Sequence, residues 1–314
     1  MRVVFFGTPE FAVPSLRALV GEGFDVVAVV TQPDAPQGRS RSQLIPPPVK
    51  VAAESEDLTV LQPEKPTDGA FLLRLRDLEP DIGVVVAYGH ILKPELLELP
   101  RRGMVNVHPS LLPGLRGAAP IEWAVIRGHE TTGVTIIQLD AGMDSGPILH
   151  QIPHRIPRDV TAGDLSAHLA EMGAQALIET LAMLEQSDPP PEPVPQNEDR
   201  ATYAPKLTRE IARIDWTKDA RAIGCLIRGL DPRPGAWTEL NGGEIKLFNP
   251  QVNEPPSPGT FAPGEVLSAD GSLVIAGGAG GSVEVFEVQA AGKARMTTDD
   301  WLRGARLKAG TRFT

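Results

Sequence analysis

An α/β fold, with a Rossmann-like mostly parallel sheet domain followed by a small OB-like β-barrel domain, is the architecture this sequence predicts. Three observations predict it. The first part alternates continuous apolar runs with helical patterns, and the last part has short apolar runs divided by Gly and Pro. Between them lies a proline-rich break, Ser187 to Pro195, of the kind that forms a semi-rigid extended connection. At 314 residues the chain exceeds one typical core, so two domains are expected, over 1–188 and 205–314, with a linker over 189–204.

Each element follows in order. Arg2-Val3-Val4-Phe5-Phe6 reads as a buried strand, and Thr8-Pro9-Glu10 then opens an amphipathic helix to about residue 20. Strands follow at Phe24 to Val30, Ile82 to Ala87 and Met104 to His108. Unbroken apolar strands separated by helices imply a parallel sheet covered on both faces. Thr132 to Leu139 and Ile148 to Ile156 read as a further pair flanking the loop Asp140–Gly146, and Ala162 to Glu185 has helical spacing. The second domain opens with a helix over Thr217 to Arg228. It continues with strands at Ile245–Phe248, Gly264–Leu267, Leu273–Ile275 and Val283–Val288, a spacing that suggests a small barrel.

Composition removes several function classes. With 41% hydrophobic and 22% charged residues the chain is an ordinary soluble type, and no apolar run reaches the length of a membrane span. The first residues lack the cleavage pattern of a signal peptide, so a cytoplasmic protein is expected. One cysteine, Cys225, excludes an internal disulfide and is expected to be a buried structural thiol. Net charge −10 opposes indiscriminate nucleic-acid binding, but the charge is uneven. Residues 1–204 carry 16 Lys and Arg against 27 Asp and Glu, whereas 205–314 carry 14 against 13, with a basic final stretch. The turn Gly7-Thr8-Pro9 is not a dinucleotide or Walker fingerprint, and the histidines have no metal-binding spacing, so no metal is expected.

The chemistry concentrates in Asn106-Val107-His108-Pro109-Ser110-Leu111-Leu112-Pro113 and in Asp144 of the later loop. An amide, an imidazole and a carboxylate suit acyl transfer between nitrogens. The tetrahedral intermediate needs hydrogen-bond donors for its oxygen, which Asn106 and His108 can supply. Strand alternation puts 106 and 108 on one face, at a strand end where open sheets bind ligands. Asp144 can pair with His108 or position a proton-relaying water. Each residue also has an ordinary role open to it: turn former, satisfied core histidine, Asx turn. A serine hydrolase elbow around Ser110 is absent.

These stretches carry a resemblance to the 10-formyltetrahydrofolate-dependent formyltransferase family. It rests on Asn106-x-His108-x-Ser110-Leu111-Leu112-Pro113 with Asp144, and on Phe6–Ala12, Val86–Gly89, Arg116–Ile121, Gly133–Ile136, Thr202–Leu207 and Ala212–Trp216. The resemblance implies transfer of the formyl group of 10-formyltetrahydrofolate to the α-amine of methionine on initiator tRNA, by direct attack through a tetrahedral intermediate. A sugar-nucleotide amine is the alternative acceptor. The resemblance assigns catalysis to Asn106, His108 and Asp144. It sets the folate against Ser110, Leu111, Leu112 and Pro113, with Val86 and Tyr88 at the pterin pocket. It gives Arg39 and Arg41, in the loop Gln32–Gln43, and Lys206 to the tRNA acceptor end. The domain over 1–188 becomes the catalytic one and 205–314 the tRNA-binding one. Nothing in this chemistry requires more than a monomer, a membrane or a metal.

Overall fold

Strands that are apolar at every position have two faces to bury, and the chain buries both. In the computed structural model, which describes residues 1–37, 43–187, 189, 192–253, 261–278 and 280–314, Val3 to Phe6 and Ile82 to Val86 are all buried. Arg39 and Arg41 lie outside the described residues.

In chain order the elements are β1 (Arg2–Gly7), α1 (Val13–Gly21), β2 (Asp25–Val30), β3 (Ala35–Gln37), β4 (Gln43–Ile45), α2 (Pro48–Ser55), β5 (Val60–Leu61), α3 (Gly69–Asp77), β6 (Ile82–Val86), α4 (Pro94–Leu97), β7 (Met104–His108), α5 (Pro120–Ile126), β8 (Thr131–Gln138), β9 (Ile148–Arg155) and α6 (Ala162–Gln186). There follow α7 (Ala220–Gly229), β10 (Ala236–Leu240), β11 (Gly243–Asn253), β12 (Val266–Ser268), β13 (Leu273–Ala276), β14 (Ser282–Ala290), β15 (Met296–Thr297) and α8 (Thr298–Ala305). The chain forms two compact units, one of residues 1–117, 132–154 and 166–203, the other of 118–131, 155–165 and 204–314.

The first unit is built on a seven-stranded sheet of order β5-β2-β1-β6-β7-β8-β9. Its pairs from β5 through β7 are parallel, and β8 runs antiparallel to β7. This is the Rossmann-like, mostly parallel sheet that the apolar runs predict. One face packs Val4, Phe6, Val30, Leu75, Tyr88 and Met104 into a common core. Gly83 has a steric reason: a Cβ there would lie 2.6 Å from Met104 Cγ. The parallel strands β1, β6 and β7 end at Gly7, Val86 and His108, so the residues after them share the carboxyl edge of the sheet.

The second unit contains an antiparallel sheet of order β10-β11-β14-β13-β12, with β15 on β14. Its interior is lined by Trp216, Ile223, Ile227, Leu247, Val266, Ile275, Val285 and Phe313. The last residues join its two edges. Thr314 exchanges backbone hydrogen bonds with Glu239 of β10 at 2.9 and 3.0 Å, while Phe313 N–H donates to Gly264 and Val266 N–H donates to Thr311. This curled, edge-joined sheet is the OB-like barrel that the short strands predict. The helix expected from Thr217 starts at Ala220, because the Asp219 carboxylate caps Ala222 N–H at 2.7 Å and Asp215 ties Thr217 into a preceding turn. Strands β3, β4, β5, β10 and β15 and helices α2, α3, α4, α5 and α8 went unread in the sequence. Cys225 is buried, as expected.

Candidate active site

β7 delivers Asn106 and His108 to the carboxyl edge of the sheet, held in register by β8 through Asn106 opposite Ile137 and His108 opposite Thr135. Two residues apart on a strand, they share a face. His108 is buried and Asn106 half-buried. The Asn106 carboxamide has no side-chain hydrogen bond to the protein among the described residues, so its N–H groups are uncommitted.

His108 is committed at one nitrogen. Its Nε2 lies 3.1 Å from the Leu115 carbonyl, which can only accept, so Nε2 carries the proton and Nδ1 holds the lone pair in the neutral ring. Nδ1 faces Asp144 Oδ2 at 3.7 Å, beyond hydrogen-bond length. Burial pushes the His108 pKa below its usual 6.5, against the opposing pull of the Asp144 charge and of the Leu115 hydrogen bond. Burial therefore favours the neutral ring, with its Nδ1 lone pair turned toward the Asp144 carboxylate.

Asp144 reaches this position from a left-handed backbone, φ 51°, and Leu115 from φ 59°. Ala87, just after β6, has φ 47°. Each such residue costs about 1–2 kcal/mol, and all three follow or touch the strand ends that form the site. Gly117 N–H donates to Asp144 Oδ2 at 2.8 Å. The Asx turn open to Asp144 is made instead by Asp140, which accepts from Gly142 N–H and from Ser145 Oγ–H. Gly146 closes the loop against β8, where a Cβ would lie 1.8 Å from the Gln138 carbonyl oxygen.

The loop after β7 is anchored from within. Ser110 is buried and its hydroxyl donates to the Gly114 carbonyl at 2.6 Å. Thr135 Oγ1–H donates to the Ser110 carbonyl and accepts from Leu112 N–H, and Gln151 Nε2 donates to the Leu112 carbonyl. Leu111 and Pro113 remain half exposed, whereas Leu112, Val86 and Tyr88 are buried. Tyr88 packs edge-on against Phe6, and burial pushes its phenol up to about 12. Its carbonyl accepts from Thr8 Oγ1–H and Gln32 Nε2–H. The side chains of Ser110, Leu112, Val86 and Tyr88 are thus buried in the fold, and the backbone groups of Ser110 and Leu112 are hydrogen-bonded within it.

Two residues near His108 were not singled out by sequence reasoning. Leu115 sets the His108 tautomer through its carbonyl, and Thr202 Oγ1 accepts from Leu115 N–H at 2.9 Å, fixing that peptide. Thr202 fell inside a resembling stretch without a role; a carbonyl's role leaves no mark on residue type. Lys206 is exposed and belongs to the second unit. Of the other histidines, His90 packs against Tyr88, His150 pairs with Glu179 and His154 lies against His168. Among the described residues no group of three or more His, Cys, Asp or Glu could hold a metal ion.

Residues 1–181 match the formyl transferase family, and 206–306 match the formyl transferase C-terminal domain. The chain is similar to a methionyl-tRNA formyltransferase of Pelotomaculum thermopropionicum, 44% identical over 310 residues that cover 99% of this chain and 97% of the relative. Among solved structures it shares its fold with the N-formyltransferase of Helicobacter canadensis in complex with folinic acid and dTDP-3-aminofucose. That match has TM-score 0.68 and 20% identity, covering 92% of this chain and 98% of the other. It also shares the fold of HypX from Aquifex aeolicus in complex with tetrahydrofolic acid, with TM-score 0.65 and 20% identity over 98% of this chain; this chain spans about half, 48%, of that one.

Proposed function

The chain belongs to the formyl transferase family, and we propose that it transfers the formyl group of 10-formyltetrahydrofolate to the α-amine of methionyl initiator tRNA. Its function is formyl transfer to methionyl-tRNA, with a folate-derived donor. One observation carries the acceptor: the 44% identity to a methionyl-tRNA formyltransferase runs end to end, through both matched domains, whereas the sugar-amine formyltransferase fold match stands at 20%.

The mechanism follows from Asn106 and His108 on β7 and Asp144 in the loop between β8 and β9. The attacking amine must shed a proton as its nitrogen bonds to the formyl carbon, and His108 Nδ1 is the free base that accepts it. The resulting imidazolium stands 3.7 Å from the Asp144 carboxylate in a site only 4% and 18% exposed at the two side chains. Opposite charges at about this distance are worth roughly 4 kcal/mol at an effective dielectric constant near 20. The formyl oxygen gains negative charge in the tetrahedral intermediate, and the uncommitted Asn106 amide donates to it; a donor so placed is worth roughly 3–4 kcal/mol. His108 then returns its proton to the departing folate nitrogen as the carbon–nitrogen bond breaks. No covalent acyl-enzyme is involved.

Leu111 and Pro113 offer apolar contact to the folate, and the sheet edge at Val86 and Tyr88, with the anchored loop from Ser110 to Leu112, forms the wall for a flat pterin. Arg39 and Arg41 serve the acceptor end of the tRNA as residues outside the described set, and exposed Lys206 adds a cation to the second unit. No helix among the described residues is long and apolar enough to cross a membrane, and the enzyme works in the cytoplasm as a monomer on this reading. The test offers 10-formyltetrahydrofolate with methionyl initiator tRNA and UDP-4-amino-4-deoxyarabinose as competing acceptors. Product on the tRNA supports the reading. Product on the sugar overturns the acceptor while keeping the site, and product on neither overturns the assignment.

A further inference from the structure

Residues 192–203 run from the end of the proline-rich break onward, and the sequence marks them as linker. They are hydrogen-bonded along the first unit. Val194 pairs with Ile148 through backbone bonds of 2.7 and 2.8 Å, and Thr202 exchanges backbone bonds with Pro113 and Arg116. Inside this segment Gln196 makes four side-chain hydrogen bonds, all directed at the Asp144 loop or at a residue beside it.

Arg116 is the seat. Its side chain is 3% exposed, yet it carries a full charge. Its two terminal nitrogens bond the Glu198 carboxylate at 2.9 and 2.7 Å, and Nε and one terminal nitrogen bond Gln196 Oε1 at 3.1 and 2.8 Å. A guanidinium only donates, so Gln196 must present its oxygen to Arg116 and its amide nitrogen to the far side. There Nε2 donates to the Asp144 carbonyl at 2.8 Å and to the Gly146 carbonyl at 2.7 Å. These two carbonyls bracket the turn in which Asp144 holds its left-handed backbone. That conformation costs free energy and persists only where the surroundings over-determine it. The neighbour of the seat, Gly117, supplies the N–H that receives the Asp144 carboxylate.

We propose that Gln196, seated on buried Arg116, is a positioning residue that holds the Asp144 carboxylate against His108. The proposal rests on the formyl-transfer reading of this site and deepens it: a segment beyond the linker break completes the catalytic geometry. Among the described residues Asp144 is the charged group facing His108, since Arg116 is turned to Glu198.

Two variants of the full chain separate positioning from bracing. Gln196→Met keeps the side-chain length and loses every hydrogen bond. Gln196→Glu keeps the acceptor for Arg116 and loses both donors to the loop. A misplacement of about 1 Å in a reacting constellation costs up to a hundredfold in rate, so both variants should lose about ten- to a hundredfold in kcat. The KM for 10-formyltetrahydrofolate and the unfolding midpoint should stay near parental values. In Gln196→Met the His108 imidazole, followed by NMR in the resting protein, should titrate at lower pH than in the parent, because the carboxylate that lifts it has moved. Parental kcat in Gln196→Glu would overturn the proposal, leaving Gln196 as a brace for Arg116. An unmoved His108 titration in Gln196→Met would overturn it as well. If the parent itself formylates no acceptor, the formyl-transfer reading is what fails, and the His108 titration still decides whether Gln196 positions Asp144.

Discussion

Asp144→Asn isolates one charge at almost constant shape. Asparagine tolerates the left-handed backbone that Asp144 occupies at φ 51°, and its Oδ1 can still accept from Gly117 N–H. What disappears is the carboxylate 3.7 Å from His108 Nδ1. In the ground state His108 is neutral and loses little; in the transition state it is becoming an imidazolium and loses its counter-charge. The interaction is worth up to about 4 kcal/mol at an effective dielectric constant near 20. At about 1.4 kcal/mol per decade this is a hundredfold to thousandfold in the chemical step. Rapid-quench single-turnover transfer of labelled formyl to methionyl initiator tRNA measures that step apart from product release. The loss should fall on kcat, with KM for the folate little changed, the pattern of an interaction made only in the transition state. The acidic limb of the profile should also move to lower pH, since the Asp144 charge is what raises the His108 pKa against burial. A single-turnover rate within about threefold of the parent, across about pH 5–8 where an imidazole titrates, would refute the role of the charge.

Three further outcomes are expected. Asn106→Ala should lower kcat by about a hundredfold to a thousandfold, as loss of an oxyanion donor does, and steady-state rates at saturating folate check it. Gly146→Ala should destabilise the first unit by about 2 kcal/mol or more, because its methyl would meet the Gln138 carbonyl at 1.8 Å; urea midpoints measure the change. His108 should make stability pH-dependent. Its folded pKa lies below the unfolded value of 6.5, so its contribution is complete above 6.5 and lost as pH falls through 6.5 toward the folded pKa. Urea unfolding of the parent should therefore lose stability faster on acidification than His108→Gln does, and parallel slopes would refute it.

The first unit was more legible than the second, for a reason visible in particular strands. β1 and β6 are buried on both faces, so every position is apolar and the run stands out against its flanks. β10 sets Thr238 and Glu239 side by side, without strand alternation, beside the turn from Asp231 to Gly235, and reads as loop. β11 was read as a strand only from Ile245 to Phe248, yet it runs to Asn253 through Pro250, whose ring hides the pattern. Among the proposed site residues, Asn106, His108 and Asp144 were legible because the chemistry proposed for them depends on residue type.

The amino-acid order by itself determined the two-part architecture and the parallel-sheet class of the first part, and it singled out the three side chains proposed to react, since burial periodicity and side-chain chemistry are local properties. Only the tertiary structure decided which His108 nitrogen faces the carboxylate, that Asp144 reaches it from a left-handed turn, and that Gln196, seated on Arg116, is hydrogen-bonded to that turn. Those facts depend on a backbone carbonyl seven residues from His108 and on hydrogen bonds between residues more than 50 positions apart. Directional bonds of that kind follow from where the folded chain brings its atoms together, and no local pattern of residue types encodes them.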